Sequence, residues 1–384
     1  MSSDHRNIDR REFMSVLGLA AAAAAPIGTA AAADAVSAAK ANVSKLPWPE
    51  RGCFGGKIIV GPHRSGAAAI LSRDPIMGLP REMSFFYGAL RDVDGNLYEV
   101  VRCMPDHPSK NVVLFVQDNV GKDTLHAVPS VMQAAALSVG YESEWFGDKA
   151  VFRSKSSIQG NPFEMTISAD GSAATWKEEG LFDVKGILLG PGLQWYAPDR
   201  DVSELYVSQI YQMAGTYRGR PVKGILAFDQ SYLPEGIYMY GGKDPLFRPQ
   251  LHHRCWYTWG TVYQDGSYDC GHFMLGTDRM GFAVYTNERQ EVTMVTDVSG
   301  DIVIDPKGTW PARITVTAGH DHWEFLPDPR GRMPDMLGGA AQSWTPQNEG
   351  RWRRIGDKRE PAVWFAWGEV APTGRTDYER VYRS

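Results

Sequence analysis

The chain has 384 residues, and its 40 Lys and Arg residues against 45 Asp and Glu residues give a formal net charge of −5. Because no basic stripe follows the first residues, the sequence lacks the electrostatic footprint of a nucleic-acid-binding protein. The length is sufficient for one large domain or two ordinary ones, each with its own hydrophobic core.

The first residues carry an export pattern. Arg10 and Arg11 stand before an apolar stretch, Val16–Ala25, and a run of alanines, as is typical of a twin-arginine signal peptide. We predict that residues 1–35 are this signal and that the folded protein works in the periplasm or outside the cell. The apolar stretch is shorter than the ~20 residues of a membrane span, so we expect no stable transmembrane segment in the mature protein. An uncleaved membrane anchor is the alternative.

The cysteines are scattered and form no C-x-x-C pair or metal-type cluster; they are Cys53, Cys103, Cys255 and Cys270. A two-residue turn at Asp265-Gly266 would place Cys255 opposite Gly276 rather than opposite Cys270. We therefore expect free thiols in this hairpin.

Short runs of β-branched and aromatic residues, bounded by turn formers such as Asp-Gly, recur along the chain. The segments with this pattern include Met83–Leu90, Leu97–Val101, Val112–Gln117, Phe163–Ser168, Gly224–Phe228, Tyr257–Tyr263 and Gly281–Thr286. Only Ala127–Val139 has the spacing of a short helix. The sequence predicts an all-β protein with two antiparallel sandwich or barrel domains, at 45–232 and 233–384.

The sequence contains no nucleophile elbow, zinc-protease motif, phosphate-binding loop or dinucleotide fingerprint. We therefore predict that no organic cofactor takes part. His320 and His322 lie two residues apart, so both rings could share one face of a strand. A third metal ligand would have to come from elsewhere, and we predict that the protein holds no metal ion.

Several motifs together resemble the family of AttH-type proteins and carotenoid hydratases, which includes kievitone hydratase-like proteins. The segments that carry the resemblance are Ser84–Tyr98, Tyr206–Ile210, Gly215–Tyr232, Trp256–Trp259 with Asp265-Gly266, Val363–Val370 and Tyr378–Val381. The resemblance covers most of the chain after the signal. It implies two lipocalin-like β-barrels around a hydrophobic ligand, and hydration of isoprenoid or flavonoid double bonds by a carboxylic acid without an organic cofactor.

The chain departs from this family at two points. The family's D-H-x-W box is here Asp229-Gln230-Ser231-Tyr232, so Gln230 replaces the histidine and Tyr232 replaces the tryptophan. In the Y-x-D motif of the hydratases, Tyr257 matches the tyrosine, whereas Trp259 stands in the place of the acid.

Asp229 is our candidate acid–base group, because burial beside aromatic rings would raise its pKa toward neutrality. Tyr257 and Tyr232 are candidate hydrogen-bond donors to a substrate oxygen, His253 or His272 is the alternative base, and Arg254 is placed to hold a carboxylate or phenolate. The other predicted substrate-binding residues are Gln230, Trp256, Trp259 and Asp269. Trp256 and Trp259 should lie on opposite faces of a strand, one in a core and one at a cavity. A structural aspartate that satisfies loop amides is the alternative for Asp229.

The leading functional hypothesis is an exported lyase of hydratase or dehydratase type, or an isomerase, that acts on a hydrophobic aromatic or isoprenoid small molecule. A carrier in the cell envelope that binds an apolar ligand without turnover is the alternative. Carbohydrate binding by exposed Trp344 and Trp352 is a third and weaker hypothesis. The sequence does not fix the substrate, the direction of the reaction or the oligomeric state.

Overall fold

The computed structural model describes residues 58–370, except for 65, 107–110, 136–137, 140, 156–159, 199–202, 240–252, 277–280, 308–309 and 337–345. The predicted export signal lies outside the described residues. The described chain is nearly all β and forms two large antiparallel sheets, one a half-barrel and the other a nearly closed barrel. This confirms the predicted all-β class with two lipocalin-like barrels.

The first sheet contains the strands before residue 233. They are β1 (Ile59–His63), β2 (Arg81–Asp92), β3 (Leu97–Pro105), β4 (Asn111–Asp118), β5 (His126–Ala127), β6 (Ser138–Val139), β7 (Glu142–Phe146), β8 (Lys149–Arg153), β9 (Phe163–Ser168), β10 (Ala173–Glu178), β11 (Phe182–Leu188), β12 (Gly192–Ala197), β13 (Glu204–Tyr217) and β14 (Arg220–Tyr232). The main order is β5-β4-β3-β2-β14-β13-β11-β10-β9-β8-β7, and β12 joins β1 to β13. The last strand, β14, therefore lies in the middle of the sheet, between β2 and β13.

The second sheet contains the strands from residue 253 onward. They are β15 (His253–Tyr263), β16 (Tyr268–Gly276), β17 (Gly281–Asn287), β18 (Val292–Val295), β19 (Val298–Ile304), β20 (Pro311–Ala318), β21 (Asp321–Arg332), β22 (Gln347–Arg354) and β23 (Pro361–Val370). Their order is β18-β17-β16-β15-β23-β22-β21-β20-β19. The division of the chain into two domains near residue 233 stays a prediction.

The Asp-Gly turns that the sequence indicates are hairpin turns in the structure. Gly95 and Gly266 have φ values of 77° and 84°, in the left-handed region where glycine carries no Cβ penalty. The turn before β16 is one residue longer than predicted, since Tyr263 N donates to Ser267 O across it. Cys255 therefore lies opposite Leu275 rather than Gly276. The thiols of Cys255 and Cys270 in this hairpin are free, as expected, and so is the thiol of Cys103.

The described chain contains two short α-helices and one 3-10 turn. They are α1 (Ala67–Leu71), α2 (Pro129–Ala134) and the turn Pro334–Met336. The helix predicted at Ala127–Val139 is thus shorter, because Ala135 is extended and bridges to Asn161. No helix within the described ranges has the length and apolar character needed to cross a membrane.

Each sheet encloses a core of its own. In the first barrel, the buried Trp176 ring stacks on Phe86 at 5.0 Å between ring centres. In the second barrel, Trp259 packs on Trp323 at 4.9 Å and on Phe273 at 5.0 Å. Such aromatic pairs stabilise a core beyond the apolar area that they bury, and both cores contain them beside aliphatic residues.

A third layer of side chains lies between the two sheets. Strand alternation divides β14 and β15 each into a barrel-facing side and a side that faces the other sheet. Ala227 of β14 and Val262 of β15 belong to one buried cluster, and Phe85 and Trp256 belong to another. The polar residues described next lie in this layer.

Candidate active site

Asp229 lies near the centre of the first sheet and points into the layer between the sheets. It is fully buried. Its Oδ1 accepts a hydrogen bond from Ser208 Oγ at 2.5 Å, and its Oδ2 accepts bonds from Tyr206 Oη at 2.7 Å and Tyr87 Oη at 2.8 Å. Ser208 is its direct cross-strand neighbour on β13, whereas Tyr87 comes from β2 on the other side. The central position of β14 therefore gives one carboxyl group three hydroxyl donors.

Two opposing effects set the pKa of Asp229. Burial disfavours the carboxylate and raises the pKa, whereas the bonds from Ser208, Tyr206 and Tyr87 stabilise the carboxylate and lower it. Burial is the larger effect, and the pKa rises to about 6. A carboxyl group with this pKa exchanges its proton near neutral pH, as general acid–base catalysis requires.

The hydroxyl group of Tyr87 also joins the two sheets. Its oxygen lies 2.7 Å from Thr258 Oγ1 on β15, and Thr258 Oγ1 lies 3.1 Å from His272 Nδ1 on β16. Thr258 and His272 are direct cross-strand partners. A continuous line of polar atoms thus runs from Asp229 to His272.

The imidazole of His272 is fully buried, and this burial lowers its pKa to about 3. The ring is therefore neutral at ordinary pH. Its Nε2 atom has no hydrogen-bond partner among the described residues. A buried polar atom without a partner is costly and calls for an explanation, such as a ligand that completes the bond.

Aromatic rings surround this polar line. The Tyr206 ring stacks on Trp195 at 5.4 Å and meets the edge of Trp256 at 4.8 Å, and it lies 6.4 Å from the His272 ring. The Tyr87 ring packs edge-to-face on Trp367 at 5.5 Å. Their electron-rich faces can stabilise a cationic intermediate.

One side chain of the polar line, Tyr87, is partly exposed. Its side chain is only half-buried, and so are its cross-strand partner Val101 and the neighbouring Trp367. The rest of the polar line is buried. Tyr87 is therefore the one partly exposed side chain among the four that form this line.

The structure places three of the predicted site residues together in this layer: Asp229, His272 and Trp256. Trp256 and Trp259 lie on opposite faces of β15, as their spacing predicts, and Trp259 belongs to the second barrel. Tyr257 also faces that barrel, where its hydroxyl donates to Asn348 Oδ1 at 2.8 Å. A Cβ at residue Gly368 would come within 2.2 Å of the Tyr257 ring, so the ring packs directly on this glycine.

The remaining predicted residues lie in other places. Gln230 faces the first barrel, where its Nε2 donates to Ile70 O at 3.1 Å. Tyr232 is buried in a small cluster with Leu205 and Val207. The structure describes His253 only through its place at the start of β15, and the side chains of His253 and Arg254 lie outside what is described.

Asp269 lies at an end of the second barrel, where it accepts a bond from Tyr263 Oη at 3.1 Å and pairs with Arg359. Trp352, considered above as an exposed carbohydrate platform, is instead buried. That hypothesis is wrong for Trp352, because the ring packs on Phe273 at 4.8 Å inside the second barrel. Trp344 lies outside the described residues.

The sequence analysis missed Tyr87, Tyr206, Ser208 and Thr258 as site residues. A signal for three of them was present, because Tyr206 and Ser208 lie in the segment Tyr206–Ile210 and Tyr87 lies in the segment Ser84–Tyr98, both of which carry the family resemblance. Thr258 carried no signal of its own. Its role depends on a contact between the two sheets.

A second buried polar group lies in the same layer. Glu349 of β22 accepts bonds from Arg91 Nη2 at 2.8 Å and from Ala366 N at 3.0 Å. Glu99 and its cross-strand partner Gln117 are fully buried. The Gln117 side chain has no hydrogen-bond partner among the described residues, whereas Glu99 interacts with Glu349. Burial and the nearby Glu349 carboxylate raise the pKa of Glu99 well above its usual range.

The described residues contain no group of three or more His, Cys, Asp or Glu side chains arranged to hold a metal ion. His322 at the start of β21 instead contacts Thr317 through its Nδ1, which lies 3.2 Å from Thr317 Oγ1.

No protein-family model and no curated protein matches the sequence. Among solved structures, the chain is similar to a protein from Nitrosomonas europaea that is provisionally assigned as an AttH. The TM-score is 0.44 and the identity 16%, over 78% of this chain and 94% of that one. It is also similar to kievitone hydratase from Nectria haematococca, with a TM-score of 0.40 and 11% identity over 83% of this chain and 99% of that one. Both names fall within the family that the sequence motifs resemble.

Proposed function

We propose that this protein is an acid–base enzyme of hydratase, dehydratase or isomerase type that acts on a hydrophobic aromatic or isoprenoid small molecule between its two sheets. Asp229 carries the exchangeable proton. The observation that carries this proposal is a buried carboxyl group with a pKa of about 6, held by three hydroxyl donors beside aromatic rings. Such a group supplies protons near neutral pH, and the rings of Tyr206 and Trp256 offer faces to a developing cation.

The chemistry needs no organic cofactor in this proposal. Protonation of a double bond, or of a leaving hydroxyl group, generates a carbocation, and loss or gain of water completes the reaction. The partly exposed surface at Tyr87 is the proposed entrance for the substrate. Export through the twin-arginine pathway would place this reaction in the periplasm or outside the cell, and this localisation is part of the proposal.

The test is a search for turnover in D2O. Purified protein is incubated with a panel of prenylated phenols, flavonoids and acyclic isoprenoid alcohols and alkenes, and products are analysed by mass spectrometry. We expect gain or loss of one water, or incorporation of solvent deuterium, in at least one compound, and no such change with Asp229→Asn. Equal deuterium incorporation by the variant would contradict the proposal.

A carrier without turnover is the second candidate. It is favoured by the complete set of hydrogen bonds around Asp229, which is also what a structural aspartate requires. A carrier should bind members of the same panel with micromolar affinity and return them unchanged. Binding that survives in Asp229→Asn, with no product from the wild type, would favour this candidate.

A further inference from the structure

Three contacts connect Asp229 to His272, and each needs one proton. Tyr87 Oη lies 2.8 Å from Asp229 Oδ2 and 2.7 Å from Thr258 Oγ1, which lies 3.1 Å from His272 Nδ1. Tyr87 and Thr258 each have a single hydroxyl proton, and a neutral imidazole has a single N–H. The direction of the first hydrogen bond therefore fixes the direction of the other two.

When Asp229 is ionised, it only accepts hydrogen bonds, so Tyr87 donates to it. Thr258 must then donate to Tyr87, and His272 Nδ1–H must donate to Thr258. In this state the Nε2 atom of His272 has no proton and is an acceptor.

When Asp229 is protonated, the line can run the other way. Asp229 donates to Tyr87, Tyr87 turns to its second acceptor Thr258, and Thr258 donates to His272 Nδ1. The single imidazole proton then lies on Nε2, which is a donor. Asp229 and His272 Nε2 are thus protonated in the same state.

The two ends of this line differ in what they offer a ligand. The oxygens of Asp229 already accept three hydroxyl donors, and its side chain is fully buried. His272 Nε2 has no partner among the described residues, and the ring stays neutral. The Tyr206 ring lies 6.4 Å from this imidazole, and the cross-strand partner of His272 on β17 is Val284.

We propose that His272 Nε2 is the atom that exchanges a proton with the substrate, and that Asp229 is its proton store, connected through Tyr87 and Thr258. The transfer of this proton to a substrate rests on the proposed function. The ligand atom that suits Nε2 is a hydroxyl or water oxygen, because such an atom accepts a hydrogen bond in one state and donates one in the other.

Written for dehydration, the steps balance. His272 Nε2–H gives its proton to the substrate hydroxyl group, the C–O bond breaks with its electron pair on oxygen, and water leaves a carbocation. In the same step Nδ1 receives the Thr258 proton, Thr258 receives the Tyr87 proton, and Tyr87 receives the Asp229 proton. The unprotonated Nε2 then removes a proton from the adjacent carbon, whose C–H electrons form the double bond. The protons of the line move back, and Asp229 is protonated again. Hydration is the reverse.

The test follows the imidazole tautomer and needs no substrate. Full-length protein with 15N-labelled histidine and 13C-labelled aspartate is titrated by NMR from pH 4 to 8, and the signals of His272 and Asp229 are assigned from those lost in His272→Gln and Asp229→Asn. The expected result is a neutral His272 that changes from the Nε2–H to the Nδ1–H tautomer with the same midpoint as the Asp229 carboxyl carbon. The groups that face this line are the hydroxyls of Tyr87, Tyr206, Ser208 and Thr258, and the pKa of Asp229 is shifted by burial and by three of these hydroxyls alone.

Variants of the linking threonine sharpen the test. Thr258→Val should uncouple the tautomer from the Asp229 titration, whereas Thr258→Ser should preserve it. Thr261→Val is the matched control, because Thr261 lies on the same strand with its hydroxyl directed to Trp352 O. A single His272 tautomer across the Asp229 titration would overturn the proposal, and so would an imidazolium in this pH range. Both results come from the wild type, so they do not depend on the folding of a variant. If the tautomer changes as expected but no compound is turned over, the proposed function is refuted, whereas the coupling between Asp229 and His272 is confirmed.

Discussion

The hydroxyl of Tyr87 lies within hydrogen-bonding distance of both Asp229 and Thr258, at 2.8 and 2.7 Å, and so connects the first sheet to the second at a buried carboxyl group. A structural aspartate needs only its own donors. The connection to the second sheet is the feature that gives this carboxyl group a route to another titratable group.

Tyr87→Phe should raise the pKa of Asp229, because the lost hydroxyl is one of the donors that lower it. A hydrogen bond to a charged group contributes about 1.5–3 kcal/mol, so the rise should be about one to two pH units. The 13C titration of Asp229 measures it. Tyr211→Phe is the control, since Tyr211 is a buried tyrosine on β13 that donates to Gly171 O. An unchanged or lower midpoint in Tyr87→Phe would contradict the assigned bond.

Stability should depend on pH through Asp229. Its pKa is about 6 in the folded protein and near 3.8 in the unfolded chain, so the unfolded state loses its proton first as pH rises. The free energy of unfolding is therefore highest below about pH 4. It falls by roughly 3 kcal/mol between about pH 4 and 6, where the unfolded chain is ionised and the folded protein still holds the Asp229 proton. Urea unfolding of the wild type and of Asp229→Asn at several pH values isolates this change. The difference between the two proteins should vary with pH in this window, and a constant difference would contradict the shifted pKa.

Between pH 5 and pH 8, the free energy of unfolding of Glu99→Gln should fall less than that of the wild type. The raised pKa of Glu99 means that its ionisation opposes folding, so the wild type loses stability as pH rises above the ordinary glutamate range. A neutral amide removes that cost. Glu349→Gln is the comparison, because it weakens the bond with Arg91 and should destabilise the protein instead. Equal pH dependence of the free energy of unfolding in the wild type and in Glu99→Gln would contradict the raised pKa of Glu99.

Export should depend on the arginine pair. Replacing Arg10 and Arg11 with lysine should leave folded protein in the cytoplasm, because a receptor reads the pair rather than hydrophobicity alone. Fractionation of cells that express the double variant measures this, with the wild type as control. Normal accumulation in the periplasm would contradict a twin-arginine signal.

The fold class could be predicted because strand alternation and Asp-Gly turns are local. Gly95 and Gly266 mark hairpins that need nothing but neighbouring residues. Asp229 and His272 were also among the predicted site residues, because Asp229 stands in the family's box and both residues lie in segments rich in aromatic, His and Asp residues. Their connection was not predictable, because Tyr87 is 142 residues from Asp229 and 171 from Thr258, and no local pattern encodes which strands of two sheets meet.

Strand alternation separates Tyr257 from the site. Tyr257 and Thr258 are adjacent, so they point to opposite faces of β15. Motif matching drew attention to Tyr257, but its hydroxyl bonds to Asn348 and its ring packs in the second barrel. Tyr257→Phe should therefore lower stability by about 1 kcal/mol and change turnover by less than about threefold. Urea unfolding and initial rates check the two values, and a large loss of turnover with normal stability would return Tyr257 to the site.

The most direct test of the central claim is the rate of turnover by Asp229→Asn on whichever compound the panel identifies, measured with ligand binding and the folded fraction on the same sample. General acid–base catalysis contributes about 10²- to 10⁴-fold, so we predict a loss of that size in kcat with binding retained. In the wild type, kcat/KM should fall as pH rises above about 6, where Asp229 loses its proton. A folded Asp229→Asn variant that keeps its rate within about threefold would contradict the account and leave Asp229 as a structural residue.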